Sequence, residues 1–173
     1  LTLRQIRDKI NHLLSGNGKE DKGKGGICME YKALDVAKYI IDKCTRDRKP
    51  ISNLQLQKIL YFIQKECLKN GTIAFHDDIE AWQFGPVVPD VYYRFCGAGA
   101  MPITLTFDSL ELESSDKVLF DKVIVDRRNQ NPWDLVNETH KEGEAWDRVY
   151  QGGKGDKKPI PLGYIREDIN KGG

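Results

Sequence analysis

The residues best suited to chemistry lie between positions 138 and 147. There Glu138-Thr139-His140 is followed by Glu142, Glu144 and Asp147, and an imidazole flanked by carboxylates can serve as a general base or as one ligand of a metal. The spacing does not match the paired histidines of an H-E-x-x-H helix, and no nucleophile is identifiable beside it. A plainer role also fits: His140 hydrogen-bonds backbone near Trp146 and orders a helix turn. No catalytic residue, cofactor site or metal site is therefore assigned. A hydrolase using His140 with Glu138 or Glu144 stays as an alternative.

Other candidate chemistries are thinner. Cys28, Cys44, Cys67 and Cys96 stand far apart without a C-x-x-C pair, and His12, His76 and His140 do not cluster near them. Neither a zinc site nor a disulfide framework is encoded locally, and the cysteines read as thiols in a reducing compartment. Gly97-Ala98-Gly99-Ala100 has half of a phosphate loop but lacks its third glycine and its Lys-Ser/Thr, so it reads as a helix-ending loop. Helices over residues 35–44 and 52–69 could form a helix-turn-helix that presents Asn53, Gln55, Gln57 and Lys58 to DNA, although Leu54, Leu56, Ile59 and Leu60 commit much of the second helix to a core. Net charge is +1, and it is uneven. Residues 1–28 carry six Lys/Arg against three Asp/Glu, which leaves 21 against 23 for the rest. A slightly acidic body disfavours nucleic acid as a partner.

The elements that must position these residues follow from periodicity. Leu3, Ile6, Ile10, Leu13 and Leu14 mark an amphipathic helix over residues 2–14, followed by a polar, glycine-rich linker up to residue 27. Residues 1–28 are read as an appendage, either a partner-specific helix or an upstream extension, and residues 29–173 as the domain proper. Ala33, Ala37, Ile40, Ile41 and Cys44 form the next helical stripe. Ser52-Asn53-Leu54-Gln55 is a capping box that opens the strongest helix, with Leu56, Ile59, Leu60, Ile63 and Cys67 on one face and Asn70-Gly71 as its stop. Ile73 and Phe75, then Ile79, Ala81 and Gln83, alternate across His76-Asp77-Asp78 and predict a small antiparallel pair that Gly85-Pro86 breaks. Pro89 starts a short helix through Phe95, and residues 103–107 form a loop or a third strand. Ser114 or Ser115 caps a helix to about Arg128, Asn131-Pro132 starts another, a third surrounds Trp146, residues 152–158 form a loop, and a last helix spans residues 161–170. The expected class is α+β, mainly α-helical, with a small antiparallel hairpin or three-stranded sheet.

Composition excludes other classes. With 39% apolar and 31% charged residues, the longest apolar run is Ile59-Leu60-Tyr61-Phe62-Ile63, far short of the roughly 20 residues that cross a bilayer. Leu1-Thr2-Leu3-Arg4 does not open a secretory signal, so the cytoplasm is the expected compartment and no membrane contact is expected.

Residues 56–95 are unusually rich in aromatics. Trp82, Phe84, Tyr92, Tyr93 and Phe95 crowd around the rigid turn Gly85-Pro86-Val87-Val88-Pro89, and aromatic anchors on a preformed turn suit protein binding. Leu56-Gln57-Lys58-Ile59-Leu60-Tyr61-Phe62, the block Ile79-Glu80-Ala81-Trp82-Gln83-Phe84-Gly85-Pro86-Val87-Val88-Pro89-Asp90-Val91-Tyr92, then Thr139-His140 and Trp146, resemble the Panacea antitoxin domain, found also in phage-associated proteins and in a proteolytic adaptor. The resemblance runs from about Tyr31 to the C-terminus. It implies a mostly helical, non-enzymatic module that binds and neutralises a protein toxin encoded by an adjacent gene. A role in phage defence and a proteolytic adaptor working with a cytoplasmic protease are further implications. On this basis Trp82, Gln83, Phe84, Gly85, Pro86, Tyr92 and Tyr93 are the expected toxin-binding residues. Leu56, Lys58, Leu60, Tyr61, Ala81, Thr139, His140 and Trp146 are expected to serve structure.

Overall fold

The computed structural model describes residues 31–108 and 110–172. The helix expected over residues 2–14, its linker, Cys28 and the boundary at residue 29 lie outside the described residues. Helix α1 (Ala33–Arg46) carries the expected stripe, and Ala33, Val36, Ala37, Ile40, Ile41 and Cys44 are buried along it. Helix α2 (Asn53–Lys69) begins at the predicted capping box: the Gln55 N–H donates to Ser52 Oγ at 3.3 Å, and the Ser52 N–H donates to Gln55 Oε1 at 3.0 Å. Unlike a surface helix, α2 is buried nearly all round, polar Asn53, Gln57, Lys58 and Gln64 included. It is the central element, packing against α1 and four of the helices introduced below.

The segment after α2 departs from expectation. Residues 72–76 do not pair with residues 79–83. Gln64 takes their backbone groups instead: its side-chain oxygen accepts the Ala74 N–H at 2.9 Å, and its amide donates to Phe75 O at 2.8 Å. The Tyr31 N–H adds a bond to Ala74 O at 2.9 Å. With these groups satisfied, no strand partner is needed. Gln64→Ala leaves the Ala74 N–H and Phe75 O without this partner, and is expected to lower unfolding free energy by about 2–4 kcal/mol in urea titrations.

The sheet is three-stranded and antiparallel as anticipated, but from other residues. Strand β1 (Glu80–Trp82) pairs with β2 (Gly85–Val87) across Gln83-Phe84, and with β3 (Lys158–Pro159) on its other side. Gly85-Pro86, expected to end a strand, lies within one. Pro86 faces Ala81 on an edge strand, where a missing N–H is tolerated. The third strand starts at the last residue of the expected 152–158 loop and does not come from residues 103–107. Those make one bridge, Ile103 N–H to Ile51 O at 2.8 Å, before the Phe107 N–H is taken by Asp42 at 2.9 Å.

Helix α3 (Pro89–Phe95) starts at its proline as predicted. Helix α4 (Ser114–Arg128) lacks the predicted serine cap: Glu113 holds the cap position, and Ser114 and Ser115 are already helical. Helix α5 (Pro132–Thr139) is capped by Asn131, whose side chain accepts the Trp133 N–H at 2.9 Å. Helix α6 (Ala145–Tyr150) has its first N–H received by the buried Asp168 carboxylate of α7 (Leu162–Lys171) at 2.6 Å. The mainly helical α+β class is the one expected.

Candidate functional site

One face of α2 holds residues 85–92 in place. Gln57 donates to Asn53 Oδ1 at 3.0 Å and accepts the Val88 N–H at 2.9 Å, Asn53 donates to Tyr92 O at 3.1 Å, and Lys58 Nζ donates to Pro86 O at 3.0 Å. Buried polar groups that are fully paired fix a unique geometry. Lys58 is entirely buried with no carboxylate in ion-pair contact among the described residues, and desolvation pushes its ammonium down to about 7. These bonds overturn the helix-turn-helix alternative, because Asn53, Gln57 and Lys58 face the protein interior. Gln55, the fourth residue of that reading, reaches Arg128 O at 3.3 Å.

Gly85 is where the turn comes against Lys58 of α2. Its φ is +102°, and a Cβ there would lie 2.7 Å from both Lys58 Nζ and Thr139 Oγ1. Thr139 is itself anchored, donating to Val136 O at 2.8 Å. Trp146 ties α6 to the same turn, its indole N–H donating to Trp82 O at 2.8 Å.

His140 contacts Trp146 through ring stacking at 3.7 Å, not through the expected backbone hydrogen bond, and Trp146 in turn stacks on Tyr150 at 4.6 Å. Burial and the nearby Lys58 hold the imidazole below its ordinary pKa, and its Nε2 is buried without a partner. The carboxylates considered for a catalytic pair are engaged elsewhere: Glu138 with Arg127, and Glu144 with Lys65 at 3.6 Å. Asp147 accepts the Gly143 N–H at 2.9 Å.

Above this frame lies a groove of about 530 Å³ whose lining includes Leu54, Trp82, Phe84, Val87, Tyr92 and Trp133. Trp82 stands 4.9 Å from Tyr92 and 5.9 Å from Tyr93, while Phe84 meets Trp133 edge-on at 5.6 Å. Phe84, Tyr93 and Trp133 are 48%, 59% and 55% exposed, an unusual cost for rings that could have been buried. Of the expected binding residues, Trp82, Gln83, Phe84 and Tyr92 line the groove, and Tyr93 packs on Trp82 and Tyr92 beside it. Gly85 and Pro86 lie buried beneath, where they shape it. Trp133 is the residue missed from sequence. Its signal was available, since it falls off the stripe of Leu135, Val136 and Thr139 that α5 buries.

Residues 56–147, more than half of the chain, match the family model described as antitoxin SocA-like, Panacea domain. The chain belongs to the SocA-like Panacea family. Antitoxin SocA of Caulobacter vibrioides is 30% identical over 133 residues, which cover 69% of this chain and 71% of that protein. No solved structure matches. In this Panacea domain the motif residues Leu56, Lys58, Leu60 and Ala81 are fully buried, and Tyr61, Thr139 and Trp146 nearly so. Among the described residues no helix is long and apolar enough to cross a membrane.

Proposed function

We propose that this Panacea domain is an antitoxin that neutralises a cognate protein toxin, encoded by an adjacent gene, through direct binding at the aromatic groove. The observation that carries the reading is the pairing of exposed Phe84 and Trp133 over a turn fixed from below by α2. Rings held in place before binding lose little entropy on contact, which makes tryptophan and tyrosine frequent hot spots. Occlusion or trapping of the toxin then requires no catalytic residue in the antitoxin.

Co-expression with the product of the adjacent open reading frame tests this. Growth rescue together with co-purification is expected, at steady toxin level. Toxin that disappears from rescued cells would identify a proteolytic adaptor instead, and the absence of both rescue and binding would overturn the antitoxin reading. Trp133→Ala is expected to weaken the complex by at least about 2 kcal/mol, or roughly thirtyfold in Kd, while leaving Tm nearly unchanged because the side chain is exposed.

A further inference from the structure

Asp156 and Lys157, at the end of the tightly wound loop over residues 151–157, line one side of the groove. The loop backbone is left-handed at Gln151, Gly152, Gly153 and Lys157, with φ of 47°, 63°, 101° and 62°. The glycines accept this freely, whereas Gln151 and Lys157 adopt a conformation that side-chain-bearing residues avoid. Gly155 permits the close packing beneath, since a Cβ there would lie 1.7 Å from Val149 O. The strain at Lys157 has a definite result. Its N–H donates to Ala81 O at 2.8 Å, and its ammonium is held 5.1 Å from the centroid of the Trp82 ring.

That ammonium lines the groove and has no carboxylate within ion-pair distance among the described residues. Asp156 is the other charged residue of the lining and makes no ion pair with Lys157, while the nearby Glu80 carboxylate is occupied by the Trp82 indole N–H at 2.8 Å. The groove thus offers an apolar, aromatic floor with one ammonium, that of Lys157, free to take an anionic partner at its edge.

Resting on the antitoxin reading, we propose that the groove recognises a segment of the toxin that places a large apolar side chain against Phe84 and Trp133 and a carboxylate against Lys157. The apolar part gives affinity. The carboxylate fixes orientation and supplies charge complementarity across the interface.

The test is titration calorimetry of the full chain against the purified product of the adjacent open reading frame at low and high salt. Lys157→Glu is expected to weaken binding at least tenfold. Lys157→Met, which keeps an unbranched stem over Trp82, is expected to weaken it severalfold and to flatten the salt dependence, while Lys157→Arg is expected to retain it. All three carry the same backbone strain as lysine, so folding is preserved. If Lys157→Glu binds as tightly as wild type while Trp133→Ala does not, the acidic-segment proposal falls and the groove stands. If neither substitution matters, the groove is not the interface. If the wild type does not bind, the antitoxin reading fails and this one with it.

Discussion

Gly85→Ala is expected to destabilise the fold by roughly 3 kcal/mol and to lower Tm by about 10 °C. Two costs combine. Alanine at a φ of +102° is strained, and its methyl would sit 2.7 Å from Lys58 Nζ and from Thr139 Oγ1. Neither neighbour is free to withdraw, because Lys58 is fully buried with its ammonium on Pro86 O and Thr139 is bonded to Val136 O. Gly71 supplies the control: its φ is +77°, and nothing lies within 4 Å of a Cβ placed there. Gly71→Ala is expected to lose only the conformational part, about 1 kcal/mol. Equal losses at the two glycines in thermal melts would show that the Lys58–Thr139 frame yields, and that it does not fix the turn.

Stability is expected to increase with pH from about 7 to about 10, and Lys58→Met is expected to abolish most of that increase. Burial holds the Lys58 ammonium near 7 in the folded chain, against an ordinary value of 10.5. Between those limits the unfolded chain binds a proton that the folded chain lacks. Raising pH therefore favours folding, by up to about 1.4 kcal/mol per pH unit. Below about pH 7 both states are protonated and this dependence vanishes. His140 adds the same sign at lower pH, because its folded pKa is depressed by burial and by Lys58. Above about pH 10 the trend reverses. Burial raises Tyr31 to about 12 and lifts Tyr39 and Tyr61 as well, so their stabilisation is present below 10 and lost as the unfolded tyrosines ionise. Urea titrations at pH 6, 8 and 9.5 measure the effect. Parallel slopes for wild type and Lys58→Met would contradict a neutral, buried amine at this position.

What could be read in advance was local. The capping box at Ser52, the proline starts of α3 and α5 and the glycine stop after α2 each depend on neighbours within a turn of helix, and each stands where periodicity placed it. The strands were harder. Two or three residues contain no usable alternation, and Lys158-Pro159 becomes a strand only because Ala81 and Glu80 lie beside it. The backbone of residues 74–75 looked like a strand because no local signal shows that Gln64 will satisfy it. At the groove, the aromatic block from Trp82 to Tyr93 was legible from composition. Its partner Trp133 and the strained Lys157 come from elements 40 and more residues away, and only packing brings them to the same surface.

The central claim is that neutralisation runs through the aromatic groove, and affinity at matched exposed positions tests it most directly. Trp133 lines the groove, while Val118, 71% exposed on α4, lies outside its lining. Titrated with the product of the adjacent open reading frame, Trp133→Ala is expected to lose at least about thirtyfold in affinity and Val118→Ala to match wild type. A Trp133→Ala protein that binds and rescues growth as well as wild type would contradict the account.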